Sequence, residues 1–224
     1  MYELDERLQM LYELVPMCGC VADIGTDHGL LPLALLRGGK CKKGIACDIS
    51  EPSLQKAVVR SKAAGISLDC RQSDGLASLA KGEADCIVLA GMGGILISEL
   101  LEKGREKLDD ALLVLQPMTA VKELREYLCA NRFVILSEDM VFQGRKRYHA
   151  FTARAGEPDV KYDCEIGSGL RNHPLFGLYL KTRKEEELEI IRRMGAYRGE
   201  EYKRHLALAE RFKKEEEFYY ANSK

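Results

Sequence analysis

The chain lacks any apolar run long enough to cross a bilayer, and its first ten residues, MYELDERLQM, are acidic and without the apolar core of a signal peptide. It also lacks an excess of basic residues, because 34 Lys and Arg stand against 35 Asp and Glu, a net charge of −1. A global electrostatic attraction to nucleic acid is therefore excluded, and any RNA contact has to be local. We expect a cytoplasmic protein with no membrane association.

The chain lacks C-x-x-C pairs, although it contains eight cysteines. Cys18 and Cys20 form the tightest group, but no histidine or second cysteine pair follows at zinc spacing. Several of the others lie inside apolar runs such as GIACDIS and ADCIVLAG, where cysteine behaves as a small hydrophobic residue. This pattern predicts free structural thiols and no metal site.

Apolar strand-like runs alternate with helical runs over most of the chain. After an amphipathic N-terminal helix, the runs CVADIG, GIACDIS, DCIVLAG and ALLVLQP, with a shorter one in SLDCRQSDG, predict five strands. Helical segments separate most of them, which predicts a parallel sheet with helices on both faces. The runs FVILSEDMVFQ and RYHAFTARAG are joined by only three residues, which predicts an antiparallel hairpin.

The predicted fold is therefore α/β, a Rossmann-like, mostly parallel sheet that ends in an antiparallel hairpin, which is the plan of the class I methyltransferases. We expect this domain to cover residues 1–155. Residues 156–224 are predicted to form a second region, a loop followed by a charged helical hairpin that is broken at Gly195 and Gly199.

Small and acidic residues collect where four of the predicted strands end. Ligands of open α/β sheets bind at the carboxyl ends of the strands, so these residues are expected to form one site. The candidate cofactor-binding residues are Asp23, Gly25, Thr26, His28, Gly29, Asp48, Ile49, Asp74, Gly75, Ala90, Gly91 and Met92.

The first of these turns, G-T-D-H-G, lacks the middle glycine of a dinucleotide fingerprint. Asp23 and Asp27 would also repel a pyrophosphate. S-adenosylmethionine fits the pattern better, because it has no phosphate and carries a sulfonium and an ammonium. Asp48 follows the first turn at the distance at which an acid accepts the ribose hydroxyls, and Asp74 is a candidate for the adenine amino group.

Structural roles remain open for several of these residues. Asp48 is equally consistent with a residue that caps a helix. Asp74 and Gly75 are consistent with an ordinary turn, and His28 is consistent with a hydrogen bond to the backbone. The occurrence of small and acidic residues at several successive strand ends is what favours a ligand site.

Four sequence stretches together carry a family resemblance: VADIGTDHGLLPLALL, DGL, DCIVLAGMGGILISELL and LVLQP. They resemble the bacterial tRNA (adenine-22-N1)-methyltransferases, a family of class I S-adenosylmethionine-dependent enzymes. The stretch DERLQMLYELVP is similar to the N-terminus of that family and places Arg7 at a position that the family uses. Met118 follows LQP where the family tends to have asparagine, and the hairpin QGRKRYHAF departs from the family pattern.

The resemblance implies methylation of N1 of adenine 22 in tRNA, with S-adenosylmethionine as the methyl donor. N1 has a free in-plane lone pair, so alignment is the main task of catalysis. Asp27 is the candidate for stabilising the positive charge that appears on the adenine or for accepting a proton from N6, and Arg7 is the second catalytic candidate. The absence of Asn or Asp in AGMGG favours a ring nitrogen as the target.

RNA contact is assigned to local basic groups, with an unstacked adenine resting on Met92 or Tyr148. The hairpin candidates are Arg145, Lys146, Arg147 and Tyr148. Further basic candidates are Lys40, Lys42, Lys43, Arg183, Lys184, Arg192 and Arg193. Two alternatives stay open from sequence: a methyltransferase of the same fold that acts on a small molecule or protein, and an inactive RNA-binding or assembly module.

Overall fold

A computed structural model of the chain describes residues 4–144, 146–157 and 161–222. Helices and strands alternate through the first two thirds, and two long helices close the chain. The helices are α1 (Glu6–Leu14), α2 (Leu30–Arg37), α3 (Glu51–Ala64), α4 (Gly94–Lys103), α5 (Arg105–Leu108), α6 (Val121–Ala130), α7 (Phe176–Arg193) and α8 (Glu200–Asn222). The strands are β1 (Cys18–Ile24), β2 (Cys41–Asp48), β3 (Asp69–Gln72), β4 (Cys86–Met92), β5 (Leu112–Pro117), β6 (Phe133–Gln143) and β7 (Lys146–Ala155).

The seven strands form one sheet in the order β3-β2-β1-β4-β5-β7-β6. The first five strands run parallel, and β7 pairs antiparallel with both β5 and β6. This confirms the predicted mostly parallel sheet with a terminal hairpin. The order reverses direction at β1 and β4, so the carboxyl ends of these two strands flank the topological switch point.

Alternate residues of the central strands fill two separate cores, one on each face of the sheet. In β1, Ala22 and Ile24 join the core that α4 and α6 cover, whereas Val21 joins the core covered by α1 and α2. β4 and β5 alternate in the same way. Because both faces are covered, the strands are apolar throughout, as parallel strands buried between helices require.

Local capping explains where two of the helices begin. Asp5 caps α1 by accepting a hydrogen bond from the Leu8 amide at 2.7 Å. Ser50 caps α3, and Gly65 ends α3 in the left-handed conformation. The first of these caps fixes the first turn of α1, which carries Arg7.

The chain divides into two compact units, Met1–Gly169 and Leu170–Lys224. The sequence-based boundary after residue 155 lies inside the first of these units. The segment after β7 packs on α6, because Arg125 donates to the Cys164 carbonyl at 3.2 Å and Lys122 pairs with Glu165 at 3.0 Å.

The second unit has its own small core between α7 and α8. Phe176, Tyr179, Phe212 and Tyr219 meet in an aromatic cluster, with ring centroids 5.5 to 6.4 Å apart in the pairs Phe176–Tyr179, Phe176–Tyr219 and Tyr179–Phe212. His205 bonds to buried Glu187 at 2.6 Å. This confirms the predicted C-terminal helical hairpin. Among the described residues of both units, no helix has the length and apolarity to cross a membrane.

Candidate active site

The turn after β1 is tied to the neighbouring strand. The amides of Gly25 and Thr26 both donate to the Cys47 carbonyl of β2, at 2.8 and 3.0 Å. Gly25 has a φ of +75°, which a residue with a side chain rarely adopts. The glycine therefore lets the chain turn sharply and leaves its backbone open at the carboxyl edge of the sheet.

Asp23 lies buried beneath this turn, and its burial perturbs its acidity strongly. Its carboxylate accepts a hydrogen bond from the Thr26 hydroxyl at 2.6 Å. Burial raises the pKa of Asp23 from 3.8 to about 6, although the Thr26 hydrogen bond and the charge of Arg7 oppose the rise. A buried carboxylate with so little solvation is a strong partner for a cation that enters the site.

Asp48 ends β2 beside Asp23, and its charge adds to the rise of the Asp23 pKa. One Asp48 oxygen accepts from the Ser50 amide at 2.7 Å. This contact orients the carboxylate at the start of α3, so the structural role and the ligand role are compatible. Ile49 follows with 69% of its surface exposed, which provides an apolar face next to the acid.

The end of β4 approaches the turn after β1. The β4–β5 register shifts between Ala90 and Met92, and Gly91 between them has a φ of +78°. A Cβ placed on Gly25 would lie 2.7 Å from the Met92 methyl group. Met92 thus lies directly over the glycine turn, and the two strand ends predicted to share a site are adjacent.

Arg7 of α1 reaches this cluster from outside the sheet. Its guanidinium donates to the Gln116 side-chain oxygen at 3.0 Å, and the Gly91 amide donates to the same oxygen at 3.2 Å. Arg7 also lowers the pKa of Asp23, which places its positive charge close to that acid. The site therefore combines one cation with two acids within a glycine-lined edge.

Gln116 is a polar residue of this cluster that the sequence pattern did not single out. The available signal was its position as the one polar side chain at the end of the otherwise apolar strand ALLVLQP. Polar residues that close a buried strand at the carboxyl edge are candidates for a site.

Asp27 and His28 lie in the outer part of the turn. The Asp27 side chain is 82% exposed and pairs with the His28 ring at 3.1 Å. His28 has a φ of +65°, an uncommon backbone conformation for a residue with a side chain. Asp27 is therefore open to a substrate that approaches the turn, whereas Asp23 is the acid enclosed beneath it.

Two of the predicted cofactor residues make contacts with helices of the same unit. A Cβ on Gly29 would meet Ala57 and Leu68 at 3.0 and 3.2 Å, so this glycine lets the turn pack tightly on α3. Asp74 is paired with Lys103 of α4. Gly75 has a φ of +58° and allows the bend beside Asp74, as the turn interpretation expected.

The hairpin tip lies at the same edge of the sheet as the cluster. Leu115 of β5 pairs with Phe151, so the preceding residues Lys146, Arg147 and Tyr148 extend past the carboxyl end of β5. Arg147 bonds to the His149 ring at 3.0 Å, and Tyr148 packs partly against the α1 core. Arg145 lies outside the described residues.

The three lysine candidates around the start of β2 are not brought to this edge. Lys40, Lys42 and Lys43 lie at the start of β2, at the opposite edge, and Lys40 donates to the Tyr12 carbonyl at 2.6 Å. The candidates on the helical hairpin pair with acids of their own unit: Arg183 with Glu186 and Glu187, Lys184 with Glu216, and Arg192 and Arg193 with Glu189. Among the described parts of the chain, no group of three acidic, histidine or cysteine side chains has the arrangement of a metal site.

Comparison with known proteins gives this geometry its context. Residues 4–151 match a family model described as a methyltransferase domain. The tRNA (adenine(22)-N(1))-methyltransferase of Bacillus subtilis (strain 168) is 36% identical over 185 residues, which is 81% of this chain and 76% of that protein.

Several solved structures match nearly the whole chain, among them the two that follow. The B. subtilis M1A22 tRNA methyltransferase TrmK has a TM-score of 0.82 at 30% identity, over 97% of this chain and 99% of that one. Sp1610 of Streptococcus pneumoniae, solved in complex with S-adenosyl-L-methionine, has a TM-score of 0.85 at 27% identity, over 95% and 99% of the two chains. The chain belongs to the family of tRNA (adenine(22)-N(1))-methyltransferases.

Proposed function

We propose that the protein transfers a methyl group from S-adenosylmethionine to N1 of adenine 22 of tRNA. The observation that carries this proposal is the combination of buried Asp23 with Arg7 at the glycine-lined switch point, within a chain of this family. The cluster offers one cation and two acids, and it offers no phosphate-binding glycine fingerprint.

The residues present fit S-adenosylmethionine, which supplies an electrophilic methyl group on a sulfonium when it is bound. Asp23 would hold the ammonium of the amino-acid part, and Arg7 would hold its carboxylate. Asp48 would accept the ribose hydroxyls with the oxygen that does not bond to Ser50. Ile49, whose exposed side chain follows Asp48 in the chain, would offer an apolar surface to the adenine ring.

Glycine backbone at two strand ends supports this fit. Gly25 and Gly91 have positive φ angles, so their backbone stays open at the switch point. A side chain at Gly25 would collide with Met92. The backbone can therefore approach a ligand closely, which is the use of glycine at such turns.

The target adenine is assigned to the outer side of the turn. Asp27 is exposed there and is placed to stabilise the positive charge that the ring gains on N1 methylation. Met92 offers an apolar surface on which an unstacked base rests. No described residue of the β4 end, Ala90 to Gly94, carries an amide or acid side chain, which favours a ring nitrogen over an exocyclic amine.

The tRNA backbone is assigned to the hairpin tip, with Lys146 and Arg147 as the contacts. They extend past β5 at the edge where the cofactor cluster lies. The start of β2 is excluded from this role, because it lies at the other edge of the sheet. We place the reaction in the cytoplasm, where tRNA functions in translation.

A nucleoside analysis tests this function directly. The protein is incubated with S-adenosylmethionine carrying an isotopic methyl label and with unmodified tRNA, and the digested RNA is analysed by mass spectrometry. We expect the label in 1-methyladenosine. Label in N6-methyladenosine, or in a small molecule or protein but not in RNA, would contradict the proposal.

A further inference from the structure

Gln116 is a fully buried polar residue at the end of β5, between α1 and β4. Its relative exposure is 0%. The side-chain oxygen accepts two hydrogen bonds, from the Arg7 guanidinium at 3.0 Å and from the Gly91 amide at 3.2 Å. One atom therefore joins a helix that lies outside the sheet to the strand end that lines the site.

The orientation of the Gln116 amide is determined by its surroundings. Its nitrogen donates to the Pro117 carbonyl at 3.0 Å and contacts the Met118 sulfur at 3.5 Å. A flipped amide would place its nitrogen against the two donors and its oxygen against the Pro117 carbonyl. All four contacts are satisfied only in the orientation observed.

The Arg7 side chain needs such a partner, because a long arginine side chain loses much rotamer freedom when it is held in one place. Its charge lowers the pKa of Asp23, and its Nη1 atom would lie 3.9 Å from a Cβ at Gly91. The hydrogen bond that Arg7 donates to Gln116 keeps the guanidinium at this point, next to the buried acid.

We infer that Gln116 is a positioning residue: its side-chain oxygen fixes the Arg7 guanidinium and the Gly91 amide so that the amino-acid part of S-adenosylmethionine meets a preformed pair of opposite charges. This inference rests on the proposed function. Gln116 itself acts through Arg7 and Gly91.

The test is a thermodynamic cycle on cofactor binding with the full chain. Gln116→Met keeps the size of the side chain and removes the acceptor, and Arg7→Met removes the guanidinium. The dissociation constant for S-adenosylmethionine is measured by calorimetry for wild type, both single variants and the double variant. We expect each single variant to lose on the order of tenfold in affinity. The double variant should lose little more than Arg7→Met alone, because both changes remove one shared interaction.

Steady-state kinetics supply a second readout. Gln116→Met should raise KM for S-adenosylmethionine more than it lowers kcat at saturating cofactor, because binding geometry is what it disturbs. Thr152→Val is the matched structural control: it removes a side-chain hydrogen bond of 2.5 Å between buried Thr152 and Ser137. It should lower thermal stability and leave the cofactor affinity unchanged.

Two results would overturn the inference. One is normal cofactor affinity in Gln116→Met, and the other is additive losses in the double variant. If Gln116→Met does not fold, Arg7→Lys tests the same link from the other side, since lysine keeps the charge and loses the planar donor geometry. Cofactor affinity equal to wild type in Arg7→Lys would then contradict the inference. Failure of wild type itself to bind S-adenosylmethionine would contradict the proposed function instead.

Discussion

At the scale of single residues, Asp23 shows a conflict between stability and ligand binding. The folded protein raises the pKa of Asp23 from 3.8 to about 6, so it holds the proton more tightly than the unfolded chain does. Ionisation of Asp23 therefore costs folding free energy, and the cost grows as the pH rises from about 4 to 6. The ionised acid is nevertheless the form that attracts an ammonium group.

Asp23→Asn should for this reason stabilise the free protein at pH 8 while it weakens cofactor binding. The upward pKa shift corresponds to at most about 3 kcal/mol, and we expect a gain of about 1–3 kcal/mol in the free energy of unfolding. The gain should shrink as the pH falls from about 6 towards 4, because the folded protein takes up the proton over this range while the unfolded chain is still ionised. It should vanish only well below pH 4, where the acid is protonated in both states. Urea unfolding at pH 8 and pH 4.5 measures this difference, and a variant less stable than wild type at pH 8 would refute it.

The same variant should bind S-adenosylmethionine about thirtyfold or more weakly at pH 8, since it removes a buried charge partner. In the wild type, affinity should fall as the pH drops below about 6, when Asp23 takes up a proton. Calorimetric titration between pH 5 and 8 measures both effects. An affinity for S-adenosylmethionine that does not change between pH 5 and 8 would contradict the assignment of Asp23 to the ammonium.

Asp27 is expected to behave differently, because its side chain is 82% exposed. Asp27→Asn should keep cofactor affinity within about threefold and lower kcat on the order of a hundredfold, the size typical of one positioned acid or base. Glu106→Gln, another exposed acid of the same unit at 79% exposure, serves as the control and should change neither value. Loss of cofactor binding in Asp27→Asn would contradict this assignment and show that Asp27 belongs to the cofactor site.

Part of the site was predictable from single residues. Gly25, Asp23, Asp48 and Met92 lie at strand ends, and the approach of neighbouring strand ends follows from parallel pairing. The orientation of Asp74 was not predictable, because it depends on Lys103, a residue 29 positions further along the chain. Gln116 was missed because its partner Arg7 lies 109 positions away, on a helix whose placement no local pattern encodes.

At the scale of elements, the antiparallel hairpin of β6 and β7 carries basic residues to the carboxyl edge of the sheet. The tip of the hairpin extends past the carboxyl end of β5, at the same edge of the sheet as the candidate site. The start of β2, which carries an equally basic sequence, lies at the amino edge. The hairpin itself was predictable from the short connection between two strand-like runs. Which edge of the sheet each basic group reaches could be read only from the pairing register of the strands.

This difference supplies a matched pair of variants. Lys146→Gln should raise KM for tRNA and reduce the slope of log KM against log salt by about one unit, because one phosphate contact is lost. Lys42→Gln removes an exposed lysine from the opposite edge and should change neither quantity. Equal effects of the two variants would show that the hairpin tip has no special role in RNA binding.

At the scale of the whole molecule, the net charge of −1 leaves RNA binding to a local surface. The match to the methyltransferase family model ends at residue 151, within β7. We propose that catalysis resides in the first compact unit, Met1–Gly169, whereas the helical hairpin of the second unit is stabilised by its own aromatic cluster.

The central claim is position-specific methylation of tRNA, and one pair of substrates tests it. Two transcripts of the same tRNA are prepared, one with adenine and one with guanine at position 22, and each is incubated with isotopically labelled S-adenosylmethionine. We predict methyl incorporation of about one per molecule into the adenine-22 transcript and background incorporation into the other. Equal incorporation into both transcripts, or incorporation into neither, would contradict the account.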